Sequence, residues 1–336
     1  MRHLDAAARG VPRFLVVALS LLTLHCADGE LAPRAAPSTA STSDVGADDE
    51  SVPESLPIIG GALSAECAFP STVRVSGTGV CTGTLIHPRV VLTAAHCISR
   101  NATTANVTIG FGERTSPSAF NVQARCVSGA RGAAGGSTGL DWAYCVLPED
   151  PRVAQQPITP PLAACEAARY LKPSAKTMAV GYGVTNPNGN QPSPKRQVEI
   201  PIQRVEAGGV IVAGTAQIGA CYGDSGGPLY MRLVDDAGRD HGWRIVGTTS
   251  GPDARVRGCR CNCGTAFVNV AQHIAAVEAN ERIDVTPCTD ASGNWSPGPR
   301  CTTMPLDLPR ASGRFPTCQV PQTTTPLESC GPAPSP

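Results

Sequence analysis

The stretch Cys221-Tyr222-Gly223-Asp224-Ser225-Gly226-Gly227-Pro228-Leu229 sets a serine among glycines, so no neighbouring side chain shields its hydroxyl. A hydroxyl is a poor nucleophile at neutral pH. It becomes a useful one only beside a general base that is held in place by an orienting acid. Candidates for both lie upstream, in Thr93-Ala94-Ala95-His96-Cys97 and in Gly139-Leu140-Asp141-Trp142-Ala143-Tyr144-Cys145. A neutral imidazole whose pKa lies near working pH can take the serine proton during attack on a carbonyl and return it to the leaving group. The chemistry these residues can perform together is acyl transfer through a covalent serine ester.

Chain order separates two readings of the serine block. The looser pattern Gly-x-Ser-x-Gly also fits α/β-hydrolases, in which acid and histidine follow the nucleophile. After Ser225 the histidines are His241 and His273, neither in a recognisable block, whereas the strong histidine block precedes it. Gly-Asp-Ser-Gly-Gly-Pro resembles instead the serine block of the chymotrypsin/trypsin family of secreted serine proteases. Thr-Ala-Ala-His-Cys is among the most specific short signatures of that family, and Asp141-Trp142-Ala143-Tyr144 is similar to its Asp-Ile-Ala-Leu strand, with Trp142 and Tyr144 replacing aliphatic residues. The resemblance implies Ser225 as nucleophile, His96 as general base and Asp141 as the acid that fixes the imidazole tautomer. It also implies an oxyanion hole made by the backbone N–H groups of Gly223 and Ser225.

The same resemblance carries expectations for the surroundings. Ile58-Ile59-Gly60-Gly61 is similar to the family's mature start, where a freed α-amino group pairs with the aspartate before the nucleophile, here Asp224. Pro57 departs from the family's Arg or Lys at that point, so the activating protease is not trypsin-like, or activation works differently. The floor of the primary specificity pocket falls on Gly219, followed by Ala220, and implies a preference for a small or apolar residue before the scissile bond. Val246-Gly247-Thr248-Thr249-Ser250-Gly251 resembles the family's Ser-Trp-Gly pocket strand without the Trp, which puts Ser250 and Gly251 in the wall. An inward-turned Asp253 would restore basic specificity. Cys81 and Cys97 stand where the family's histidine-loop disulfide lies. Cys145 is unusual for the family, and its expected partner is Cys126, just before the intervening loop. The family's pocket-closing bond implies that Cys221 bridges to Cys259, Cys261 or Cys263. These three close thiols have no accompanying histidine pattern, so no metal and no cofactor is expected.

The elements that must position these residues read as mostly β. Glycine (35) and proline (31) are abundant and aromatics scarce, and apolar residues between Thr72 and Leu92 come in short groups broken by Gly and Pro. Ala179-Val180-Gly181-Tyr182-Gly183 looks like the strand that opens the family's second barrel, with Tyr182 for Trp, and the Pro/Asn/Gly run 186–194 reads as a surface loop. Ala271 to Ile283 has apolar residues at helical spacing. The implied architecture is two six-stranded antiparallel β-barrels of the chymotrypsin-like fold with a C-terminal helix, spanning residues 58–282.

The flanks carry other signals. Arg2, Arg9 and Arg13 precede the apolar run Phe14 to Leu24, which reads as a signal peptide over residues 1–26. Leu-Thr-Leu-His-Cys26 faintly resembles a lipoprotein box, so the chain is either secreted or held at a surface by a lipid anchor at Cys26. Removal or acylation of Cys26 leaves an even number of the fifteen cysteines, a content that favours disulfides outside a reducing cytosol. Residues 27–57 have little to bury and read as a disordered linker or propeptide. Residues 283–336, rich in proline with Cys288, Cys301, Cys318 and Cys330, form either a disulfide-stapled module or an extension tied to the barrel. Asn101, Asn106 and Asn294 lie in glycosylation sequons. Lys+Arg and Asp+Glu balance at 27 each, which excludes a bulk field for nucleic acid. The expected partners are a protein or peptide substrate and an activating protease. The competing readings are a non-catalytic homologue serving as a binding or adhesion module, an esterase, and a basic-specific protease.

Overall fold

A computed structural model of the chain describes residues 58–114, 118–129, 139–184, 194–258, 261, 263–286, 315 and 318. The expected signal peptide, linker, 186–193 loop and most of the tail, with Cys26, Pro57, Cys259 and Asn294, lie outside the described residues.

The elements follow one another as β1 (Ala62–Leu63), β2 (Thr72–Ser76), β3 (Val80–His87), β4 (Val90–Thr93), α1 (Ala95–Ile98), β5 (Thr104–Phe111), β6 (Phe120–Ser128) and β7 (Ala143–Val146). Then come α2 (Pro151–Ala154), α3 (Ala164–Tyr170), β8 (Lys176–Gly181), β9 (Arg196–Glu206), β10 (Val210–Ala213), β11 (Pro228–Val234), β12 (Asp240–Pro252), β13 (Thr265–Asn269), a 3-10 turn Val270–Gln272 and α4 (Ile274–Glu281). Every strand pairing is antiparallel. Strands β2-β3-β4-β7-β6-β5 close the first barrel. The second runs β9-β10-β13-β12-β11-β8 and closes through the β8–β9 pairing, with β1 added at the edge of β9. The fold is therefore the two-barrel, chymotrypsin-like one, ending in a short helix. The helix starts later than the apolar spacing indicates, because Val270–Gln272 takes the tighter 3-10 form first.

Alternation builds each barrel's core. In β6 the inward Val122, Ala124 and Cys126 alternate with exposed residues, and in β9 Val198, Ile200 and Ile202 do the same. Six consecutive residues of β3 are buried instead, the pattern of a strand covered on both faces. Between the barrels, Phe69 stacks on Tyr230 with ring centroids 5.1 Å apart. Hydroxyls from the second barrel reach polar groups of the first: Tyr230 Oη meets Ser71 Oγ at 2.8 Å and Thr72 Oγ1 at 2.9 Å. Tyr182 donates to the carbonyls of Gly112 at 2.6 Å and Thr72 at 2.9 Å. Tyrosine at 182 thus serves as an inter-barrel tie, its single O–H shared between the two carbonyls. Disulfides join Cys81 to Cys97, Cys126 to Cys145 and Cys221 to Cys261, and Cys67 to Cys318 across 251 residues. The last of these, with Phe315 stacked 6.3 Å from Phe120, ties the tail to the first barrel.

Candidate active site

The site lies where the two barrels meet, and each barrel supplies part of it. His96 sits in the one-turn helix α1 that follows β4, pinned by the Cys81–Cys97 disulfide at the next residue. Asp141 stands two residues before β7, fully buried. Its carboxylate accepts three hydrogen bonds: from His96 Nδ1 at 2.8 Å, from the His96 backbone N–H at 3.1 Å and from Ser250 Oγ at 2.6 Å. A carboxylate on Nδ1 holds the proton there and leaves Nε2 as the acceptor. The side chain of His96 is 23% exposed, so this acceptor is reachable from the cleft.

Ser225 and His96 line one cleft of about 260 Å³, together with Ala220, Tyr222, Ser250, Gly251, Pro252 and Thr265. The loop carrying Ser225 belongs to the second barrel but is bolted to the first through Thr82. The Thr82 N–H donates to the Ser225 carbonyl at 2.8 Å, and its hydroxyl donates to the Gly223 carbonyl at 2.8 Å. Two glycines make this approach possible. Gly226, with φ +79°, lies so close to the first barrel that a Cβ would come within 2.4 Å of the Thr82 carbonyl. Gly223, with φ +92°, places its own backbone against Gly183, 2.8 Å from where a Cβ would be.

Asp224 points the other way, into the second barrel. Its carboxylate accepts from the Gly183 N–H at 2.8 Å and the Cys221 N–H at 2.9 Å. Burial pushes its pKa up to about 7, and these two bonds only partly offset that effect. Among the described residues no cationic side chain pairs with it. Ile58 is buried in the second-barrel core, and the neighbouring Ile59 carbonyl accepts from the Gly219 N–H at 3.1 Å.

The pocket differs in detail from the sequence expectation. Ala220, Ser250 and Gly251 line the cleft, whereas Gly219 is not among its lining residues. The space a Cβ at Gly219 would enter lies 3.0 Å from Thr265 Oγ1, and that hydroxyl accepts from the Ala220 N–H at 3.0 Å. Pro252 and Thr265 are partners across β12 and β13 and both face the cleft. Their contribution was not legible in the sequence, because it depends on the register between two strands; Thr82 was missed for the same reason. Asp253 is not a lining residue. Its carboxylate is gripped by Arg204 through bonds of 2.6 and 2.9 Å, which hold its pKa below the ordinary carboxylate range. Asp235, which follows Ser225 in the chain, is bound to Arg239 and His241 in the β11–β12 turn.

Similarity to known proteins follows the same residues. A family model described as trypsin matches residues 58–275. Over 216 residues the chain is 32% identical to a protein named trypsin-like protease from Streptomyces glaucescens, a match covering 60% of this chain and 74% of that protein. It is 25% identical over 189 residues to granzyme M of Homo sapiens, covering 51% of this chain and 72% of the relative. With transmembrane protease serine 11G of Mus musculus it shares 25% identity over 212 residues, which span 47% of that protein.

Proposed function

Because the chain belongs to the trypsin family of serine endopeptidases, we propose that it is an exported endopeptidase in which Ser225, His96 and Asp141 form the catalytic triad. The observation that carries this reading is the buried Asp141 carboxylate on His96 Nδ1, in a cleft shared with Ser225. Ser225 Oγ attacks the scissile carbonyl carbon as its proton passes to His96 Nε2, and a C–O bond forms. The C–N bond then breaks, the amine leaving with the proton from Nε2. Water repeats the cycle, giving its proton to His96, and the ester is hydrolysed to the carboxylic acid and free Ser225. Asp141 stabilises the imidazolium in each half. The N–H groups of Gly223 and Ser225 receive the oxyanion, and each such donor contributes about 3 kcal/mol in the transition state. Intact-mass detection of a fluorophosphonate adduct tests this reading, before and after trimming to Ile58 and with Ser225→Ala as control. An adduct on wild type alone supports it; no adduct on a folded chain in either form would leave the binding-module reading standing.

The substrate preference follows from the pocket wall. Pro252 and Thr265 line the cleft from adjacent strands, and among the described residues no carboxylate lines it. Peptides with alanine or valine before the scissile bond are the expected substrates, and those with lysine or arginine the poor ones. Basic specificity through Asp253 would require breaking its bidentate pair with Arg204. Thr265→Gly is expected to raise kcat/KM for leucine at that position by roughly 10- to 100-fold relative to alanine, the size of about one methylene in an apolar pocket. An unchanged ratio in a peptide-library profile would place the restriction elsewhere.

Activation follows from Asp224. An α-amino group freed at Ile58 is the cation that this buried carboxylate lacks, and the pair would order the loop carrying Gly223 and Ser225. Ile58 has φ +41°, unfavourable for a β-branched residue, and cutting the bond to residue 57 abolishes that torsion. The uncleaved chain should show a distinctive pH dependence. Its folded-state pKa of about 7 stands above the ordinary 3.8, so the folded chain holds this proton more tightly than the unfolded one. The associated stability is full below about pH 4 and falls as pH rises to about 7, by roughly 4 kcal/mol in the limit. Chemical unfolding from pH 4 to 8 is expected to show that fall in the uncleaved chain and its loss after trimming. Equal slopes in both forms would disprove the pairing.

Export accords with the N-terminal leader pattern and with the disulfides. Among the described residues no helix is long and apolar enough to cross a membrane. Lipid attachment at Cys26 would hold the enzyme at a surface; without it the enzyme is free.

A further inference from the structure

Asp141 occupies an unusual piece of backbone. The Trp142 N–H donates to the Leu140 carbonyl at 2.9 Å, which closes a three-residue turn with Asp141 at its apex. A small change in either arm of such a turn swings the apical carboxylate. Both arms are held by one side chain from the other barrel. His273, at the junction of the 3-10 turn and α4, stacks on the Trp142 ring with centroids 4.5 Å apart and planes inclined by 18°. The same imidazole hydrogen-bonds the backbone of Gly139, two residues before Asp141.

The Trp142 arm is backed on its other side by the first barrel. The Trp142 ring lies against Gly129, where a Cβ would meet it at 2.0 Å, and the Gly129 N–H donates to the Trp142 carbonyl at 3.0 Å. At the far end of α4, Glu281 accepts from Tyr144 Oη at 2.8 Å and pairs with Arg125 at 2.6 Å. The helix therefore touches the acid-bearing segment at both ends, at Trp142 through His273 and at Tyr144 through Glu281. Burial lowers the His273 pKa to about 4, so the imidazole is neutral where the enzyme works and adds no charge beside Asp141.

We propose that His273 is a positioning residue for Asp141, holding the two arms of its turn so that the carboxylate meets His96 Nδ1. The proposal rests on the triad reading above. His273→Phe keeps a ring on Trp142 and removes the bond to Gly139. It is expected to lower kcat about tenfold, the effect of one hydrogen bond, with KM within about twofold. The far-downfield proton resonance of the His96–Asp141 bond should shift or broaden in the same variant. His273→Asn, which retains an N–H donor at similar reach, is expected to recover more of kcat than His273→Ala.

Asp141→Asn, measured alongside, separates the two claims. Full activity in that variant sinks the triad reading itself. A large loss there, with wild-type kcat and an unmoved resonance in His273→Phe, overturns the positioning role alone. Should the Phe variant not fold, the comparison of His273→Asn with His273→Ala decides, and equal kcat in these two counts against the proposal.

Discussion

Ser225→Ala is expected to lower kcat on peptide substrates by on the order of a million-fold, the loss seen when the nucleophile of such a triad is removed. The fold should not notice. Ser225 is only half-buried, and the bonds that place it, from the Thr82 N–H to its carbonyl and from the Gly226 N–H to the Thr249 carbonyl, are made by backbone. Its urea midpoint should match wild type within about 0.5 kcal/mol of stability. Residual hydrolysis about a thousandfold above the uncatalysed rate should persist, because the oxyanion donors and the cleft survive. The decisive measurement is active-site titration beside steady-state kinetics. A variant that keeps a tenth of the wild-type rate would show that another group attacks the carbonyl.

Asp141→Asn carries the second largest expected effect, a fall in kcat of about 10⁴-fold with KM little changed. The carboxylate accepts from His96 Nδ1 and from Ser250 Oγ through the same oxygen. A carboxamide retains one acceptor oxygen, and its NH₂ can face Nδ1 only if that nitrogen gives up its proton. The imidazole then carries its proton on Nε2, where it cannot take one from Ser225. Raising the pH should restore part of the rate through hydroxide-assisted attack, whereas Ser225→Ala should show no such recovery. A loss under tenfold would mean that the acid does little beyond filling space.

The roles proposed for these two residues and His96 are legible in sequence because the conformations they need are encoded beside them. Gly223 and Gly226 take positive φ on either side of the nucleophile, and each approaches backbone that a Cβ would strike. The histidine block and the aspartate strand are likewise contiguous. Strand alternation in β6 and β9 also gave away the cores. The pocket was harder. In place of the expected Trp stands Gly251, which removed the local landmark for the residues that follow. Nothing local to Asp253 shows which way it turns, because the partner that holds it, Arg204, is 49 residues away. Among Cys259, Cys261 and Cys263, spacing does not choose the partner of Cys221, and Cys261 holds it in the folded chain. His273 sat in no block at all; its contacts with Gly139 and Trp142 exist only because α4 folds back over the first barrel.

The division has a physical basis. Residue types, chain order and local glycine placement are enough to point to two β-barrels and to the proposed roles of Ser225, His96 and Asp141, since each signal is a property of a short segment. The lining of the cleft, the capture of Asp253, the bolt through Thr82 and the grip of His273 depend on which residues face each other across strands and between barrels. That register is set only when the barrels close and pack, because a shift of one residue would turn every side chain to the opposite face.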